Sequence, residues 1–247
     1  MRVLAALVIL WGLTMMSCAH GDPLKQTITE KTYSGDVIIN NLHNIGRYDP
    51  IYRSVVELVE TKKRHSGTGF IIKNINNNSY ALTAQHLCKR RGIKFIVNAV
   101  PDENNSRKEF VAKAVYVSEE EDDVCLVRIY DTGKYFQEVK FAEKAPKTGD
   151  VIMTIGAAVG IFPTKTDGYV IGYDLLGEEE PDQPPAPAKR LITSLPVAPG
   201  NSGGPVYNNE FRVVGMLVAM HPRYNHSSIC IHVDTLNVHM NKYFNRK

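Results

Sequence analysis

From Ser54 to Val233 the chain repeats one pattern, a short run rich in Val, Ile and Tyr followed by a break of Gly, Pro, Asn, Asp or charged residues. The runs are SVVELVE, TGFIIK, SYALTA, IKFIVNAV, KAVYVS, DVCLVRIY, DVIMTIG, YVIGYDLL, RLITSL, RVVGMLVAM and SICIHV. β-Branched and aromatic residues bounded by turn formers predict a strand from each. Eleven strands with no long amphipathic helix between them predict an all-β sandwich or barrel, either one unit or a pair of small barrels sharing a cleft. The closing segment VDTLNVHMNKYFNRK breaks the pattern, with apolar residues at Val233, Leu236, Met240 and Phe244. That spacing predicts a short C-terminal helix.

The N-terminus has a different texture. Arg2 precedes the apolar run VLAALVILWGLTMM, which ends at the small residues Ser17, Cys18 and Ala19. This is the layout of a signal peptide over residues 1–18, too short for a membrane span of about 20 apolar residues. Two endings fit: Met15-Met16-Ser17-Cys18 resembles a bacterial lipobox, with Cys18 acylated, and Ser17-Cys18-Ala19 fits an ordinary cleavage before His20. Both send the protein out of the cytoplasm, to the periplasm or cell envelope, and the only membrane contact expected is a lipid anchor at Cys18. Residues 19–50 are polar and weakly patterned, as in a tether or arm.

Composition adds little: 43% hydrophobic and 22% charged residues with a net charge of +3 describe an ordinary globular chain, with no basic excess that would call for nucleic acid. The proline-rich, acidic stretch GEEEPDQPPAPAKR (Gly177 to Arg190) is expected as an exposed loop. Beyond the leader stand Cys88, Cys125 and Cys230, enough for one internal disulfide and no framework. Cys125 and Cys230 lie inside apolar runs and are expected to be small buried hydrophobes.

The stretch APGNSGGPV, Ala198 to Val206, joins two apolar runs with three glycines around Ser202. A serine nucleophile needs a base beside it and backbone amides aimed at the oxygen that becomes negative. Glycines let a loop turn its amides inward. Gly200 and Ser202 are placed to donate, with Asn201 between them fixing the loop. Of the eight histidines, His86 has the surroundings of a base, at the exit of a strand and preceded by Thr83 and Ala84. A carboxylate opening an apolar strand would orient it. Strand alternation points Asp122 and Asp123 to opposite faces, and Asp123, directly before Val124, is the candidate. His221 and His226 have a spacing compatible with metal, but no further ligands complete a site, so neither metal nor cofactor is expected.

Taken in order, TAQHLC, DVCLV and GNSGGP resemble the three signature segments of trypsin-like, chymotrypsin-fold serine proteases. SGTGFIIK, GDVIMTIGAAVG, DGYVIGY and ICIHVDTL extend the resemblance to the Deg/HtrA branch, from about Val55 to Leu236. The resemblance implies a protease domain over residues 51–247 made of two six-stranded antiparallel β-barrels. It makes His86 the general base, Asp123 its orienting acid, Ser202 the nucleophile and Gly200 and Ser202 the oxyanion donors. Protein or peptide would be the substrate. Members of that branch often carry PDZ domains, for which the thirteen residues after Asp234 leave no room. By the same likeness Pro196 and Val197 form the floor of the specificity pocket, and Val218, Ala219 and Met220 its opposite wall. An uncharged floor predicts cleavage after small or medium aliphatic residues. Two other readings stand beside proteolysis: a protease-fold binding protein with idle catalytic groups, and an esterase using the same three residues.

Overall fold

Six strands of the first half close on themselves: β1 (Val55–Glu60), β2 (Ser66–Ile75), β3 (Asn78–Ala84), β4 (Lys94–Ala99), β5 (Glu109–Val117) and β6 (Val124–Ile129). In this computed structural model they form an antiparallel barrel in the order β1-β2-β3-β6-β5-β4, with β4 pairing back to β1. The structure describes residues 49–62, 65–100, 108–119, 121–174, 190–221 and 226–245. The leader with Cys18, the arm up to residue 48 and the acidic stretch 177–189 lie outside the described residues.

The second half repeats the arrangement with β8 (Val151–Gly156), β9 (Thr164–Asp174), β10 (Arg190–Thr193), β11 (Pro205–Asn208), β12 (Arg212–Met220) and β13 (Ser228–His232). Their order is β11-β8-β9-β10-β13-β12, and the pairing of β12 with β11 closes the ring. A two-residue strand, β7 (Lys140–Phe141), joins β12 in parallel. Closure removes the unpaired edges that a flat sheet would leave.

Three apolar clusters explain why so many runs lack clean alternation. Leu58, Ile71, Phe95, Val97, Val127 and Ile129 fill the first barrel, and Ile152, Val170, Leu191, Val206 and Leu217 the second. Between them, Phe70, Leu82, Val124 and Leu126 of the first barrel meet Met153, Ile155, Tyr207 and Met216 of the second. Strands such as β3 and β6 are therefore buried on both faces, and their sequences read as continuous apolar stretches. Residues from two barrels share one core, so the barrels are packed rigidly against each other.

The all-β, two-barrel expectation and the C-terminal helix are both present. The structure adds β7 and β11, the first too short to show as a run and the second hidden in the glycine–proline stretch. It also extends β5 back to Glu109 and β9 back to Thr164, where polar residues face solvent on one side. Two helices follow strands: α1 (Gln85–Cys88) after β3, and α2 (Val233–Phe244) after β13. One expectation is overturned. Cys125 is not a free buried thiol but forms a disulfide with Cys88, because α1 folds back over the start of β6 and brings the two Cα atoms to 6.4 Å. Cys230 is buried and free, and burial pushes its thiol up to about 12.

Candidate active site

The base candidate sits on one turn of helix. β3 ends at Ala84 and α1 begins at once, so its first amides have no intrahelical acceptors. Asp123 supplies them. Its carbonyl oxygen accepts from Gln85 N at 3.0 Å, and its carboxylate Oδ1 accepts from His86 N at 2.9 Å. The same carboxylate reaches the His86 ring, with Oδ2 3.0 Å from Nδ1. Asp123 achieves this in the turn before β6 at a φ of 48°, a left-handed conformation that is uncommon outside glycine. With Nδ1 turned to the carboxylate, Nε2 is the ring atom left for chemistry, and the His86 side chain is 46% exposed against 16% for Asp123.

The far end of α1 is tied as well. Cys88 lies two residues after His86 and Cys125 two residues after Asp123, so the disulfide fastens the same two segments that the carboxylate joins.

Ser202 lies on a loop clamped between the barrels. Its carbonyl oxygen accepts from Thr68 N at 2.8 Å, while Thr68 Oγ1 donates to Gly200 O at 2.7 Å. Glycine is required at two points here. A Cβ on Gly203 would lie 2.1 Å from the Thr68 carbonyl oxygen, and one on Gly200 would lie 2.1 Å from that of Ala157. Both residues also have positive φ, 85° and 101°. Gly203 packs so closely on Thr83 and Ala84 that Ser202 stands next to the strand end that carries His86. The Ser202 hydroxyl donates to Val218 O at 3.1 Å, however, and not to His86. The structure thus joins His86 to Asp123 and leaves Ser202 nearby with its hydroxyl turned aside.

The candidate oxyanion amides are held by their own peptide planes. Pro199 O accepts from Val159 N at 2.7 Å, and Asn201 O accepts from Gly204 N at 2.9 Å, so the Gly200 and Ser202 N–H groups point in the opposite direction within each plane. Neither has an acceptor among the described residues. Asn201 is different: its amide donates to Ala198 O at 3.1 Å and the residue is buried, which suits it to fixing the loop.

A cavity of about 260 Å³ opens beside this loop, lined by Ser194, Leu195, Pro196, Val197, Met220, His226 and Ser227. Pro196, Val197 and Met220 were expected there. Val218 and Ala219 are not among its lining residues; the register of β12 against β13 shifts between Leu217 and Ala219, while Val218 O stays against the Ser202 hydroxyl. Val218 is buried in the core between the barrels and Ala219 faces solvent. Sequence reasoning missed Ser194, Leu195, His226 and Ser227. The close approach of Gly168 to the backbone of Ser194 and Leu195 shows how tightly that wall is built, but no motif marks it. Among the described residues no cluster of side chains fits a metal ion, and His226 borders the cavity instead.

Comparison with known proteins places these features in a family. The family model for the trypsin-like peptidase domain matches residues 67–216, which hold all three candidate catalytic residues. A probable periplasmic serine endoprotease, DegP-like, from Marinomonas sp. is 29% identical over 159 residues, covering 61% of this chain and 29% of that protein. The serine protease Do-like HtrA of Bacillus subtilis is 27% identical over 160 residues, covering 64% and 34% respectively. The matched part is therefore about a third of those relatives' length. In fold, the crystal structure of the serine endoprotease from Yersinia pestis superimposes with a TM-score of 0.63 at 18% identity, covering 88% of this chain and 69% of that one.

Proposed function

Because the chain belongs to the trypsin-like peptidase family, we propose that it is a serine endopeptidase in which Ser202, His86 and Asp123 cut peptide bonds through an acyl-enzyme. The observation that carries this reading is the double hold of Asp123 on His86, at backbone and ring, in a cleft beside Ser202.

Substrate binding turns the Ser202 hydroxyl from Val218 O toward His86 Nε2, a rotation about one side-chain bond. Apo structures commonly show such looser geometry. Oγ then attacks the scissile carbonyl carbon as Nε2 takes its proton, and Asp123 stabilises the imidazolium. Negative charge gathers on the carbonyl oxygen and is met by the Gly200 and Ser202 amides. Collapse breaks the C–N bond, and His86 returns the proton to the leaving amine. Water then repeats the sequence on the ester, releasing the acid and restoring Ser202. No cofactor enters.

Leu195, Pro196, Val197 and Met220 give the specificity cavity apolar surface, and its described lining contains no carboxylate. A buried Lys or Arg side chain would go unpaired there. The preferred residue at the cleaved position is small or medium aliphatic: Val, Ala, Ile or Leu. Export to the periplasm or cell envelope fits the signal-like leader and the Cys88–Cys125 disulfide, which needs an oxidising compartment. No described helix is long and apolar enough to cross a membrane. Membrane attachment would come from acylation at Cys18. The test is hydrolysis of an unfolded protein such as reduced casein by the purified protein, with Ser202→Ala as control. Equal cleavage by both would overturn the assignment.

A further inference from the structure

Beside the candidate triad lies a buried histidine that the mechanism above does not use. His239 lies on the inner face of α2 and is 5% exposed. Its Nδ1 is 2.7 Å from the Tyr116 hydroxyl on β5, and its Nε2 is 3.1 Å from Asp122 Oδ2. One neutral tautomer satisfies both contacts, with Tyr116 donating to Nδ1 and the Nε2 proton donated to Asp122. Burial pulls the His239 pKa down, against the Asp122 carboxylate, which favours that neutral form. A buried ring with both nitrogens engaged is a fixed point.

Asp122 is the residue before Asp123, and the turn they share needs fixing. The amides of Asp122 and Asp123 reach only long contacts to Glu119 O, 3.3 and 3.4 Å, while Asp123 is held at positive φ. Such a conformation persists only where its surroundings enforce it. Val124 N donates to Ser118 Oγ on one side, and Arg190 of β10 donates to Glu121 O on the other. His239 grips the side chain of Asp122, which lies between Glu121 and Asp123.

We propose that His239 is a positioning residue, which through Asp122 holds the turn that aims Asp123 at His86. The C-terminal helix is then part of the catalytic support rather than a cap on the second barrel. As a statement about turnover this rests on the peptidase reading, and as a statement about the geometry of the His86–Asp123 pair it does not.

The experiment compares His239→Ala, His239→Gln and Asp122→Ala, each alone and combined with Asp123→Asn, by steady-state kinetics and by the low-field NMR signal of the His86 Nδ1 proton. His239→Ala and Asp122→Ala should each lower kcat about tenfold, the rate equivalent of one buried hydrogen bond, with KM within about twofold. His239→Gln, whose amide can still donate to Asp122, should recover most of the loss. On the Asp123→Asn background the same changes should cost nothing further, since they act through that carboxylate. A loss of equal size on both backgrounds would overturn the proposal, because an effect on folding alone is blind to Asp123. Asp122→Ala alters a side chain 37% exposed and so reads the link even where His239→Ala does not fold. Should the wild-type chain show no turnover, the peptidase reading falls and the NMR arm decides this one. A displaced or lost His86 proton in Asp122→Ala supports it, and an unmoved one overturns it.

Discussion

Asp123 holds His86 twice, with Oδ1 on its backbone amide at 2.9 Å and Oδ2 beside ring Nδ1 at 3.0 Å. One side chain therefore sets both the position of the helical turn and the tautomer of the ring it carries. Replacing Asp123 by Asn should lower turnover by about 10⁴, since an amide cannot accept at both atoms and leaves the ring in the wrong tautomer. Asp122→Asn should stay within a few-fold, because its amide oxygen still accepts from His239 Nε2. Kinetics of the two variants side by side check this, and the opposite ranking would contradict it.

The disulfide should matter to stability and rate together. Cys88 and Cys125 are 37 positions apart, and closing such a loop removes unfolded-chain entropy worth roughly 4 kcal/mol. Cys88→Ser with Cys125→Ser should lower Tm by several degrees and reduce kcat more than it raises KM. Mild reduction should do the same to the wild-type protein and nothing to the double variant. Loss of activity in the double variant on reduction would point to some other target.

Two buried histidines make stability fall on mild acidification. Burial holds His239 and His232 below the ordinary value of 6.5, against the opposing pull of Asp122 and Asp234. Between 6.5 and the lowered values the unfolded chain binds more protons than the folded one, so unfolding is favoured as pH drops through that window. Above it the stabilisation is complete, and below the lowered values the loss stops growing. Tm measured from about pH 8 down to about pH 5 should decline in the wild type and decline less in His239→Gln. Parallel curves would show that His239 does not carry the effect.

A peptide library should show Val, Ala, Ile or Leu at the cleaved position, with about 10- to 200-fold discrimination per methylene and little cleavage after Lys or Arg. Met220→Asp, which brings a carboxylate to the cavity lining, should raise cleavage after basic residues. A wild-type profile dominated by Arg would contradict the lining described for the cavity.

Much of the fold was legible because the runs that form strands are the runs that are buried. Apolar residues in β3 and β6 face two cores at once, and their continuous apolar character survives in the sequence. β11 was not legible, since Pro205 and the glycines before it read as a turn, and it becomes a strand only by pairing with β8 and β12. The segments around His86, Asp123 and Ser202 stand out because each carries small residues or a charge at a strand end. The rest of the site depends on contacts distant in sequence. The pairing of Cys88 with Cys125 follows from the fold-back of α1, which three cysteines alone do not dictate. His239 looks like one more polar residue on an amphipathic helix until the fold sets it against Asp122 and Tyr116. The bulge in β12, which turns the Val218 side chain inward and leaves Ala219 exposed, has no mark in the sequence.

The most direct measurement is covalent labelling with a fluorophosphonate, which phosphonylates a serine oxygen only where a base and an oxyanion site activate it. Peptide mapping by mass spectrometry should find the adduct on Ser202 alone, absent in Ser202→Ala and slowed by orders of magnitude in His86→Ala. Undiminished labelling in Ser202→Ala, or an adduct on any other serine, would contradict the assignment of Ser202 and His86 as nucleophile and base.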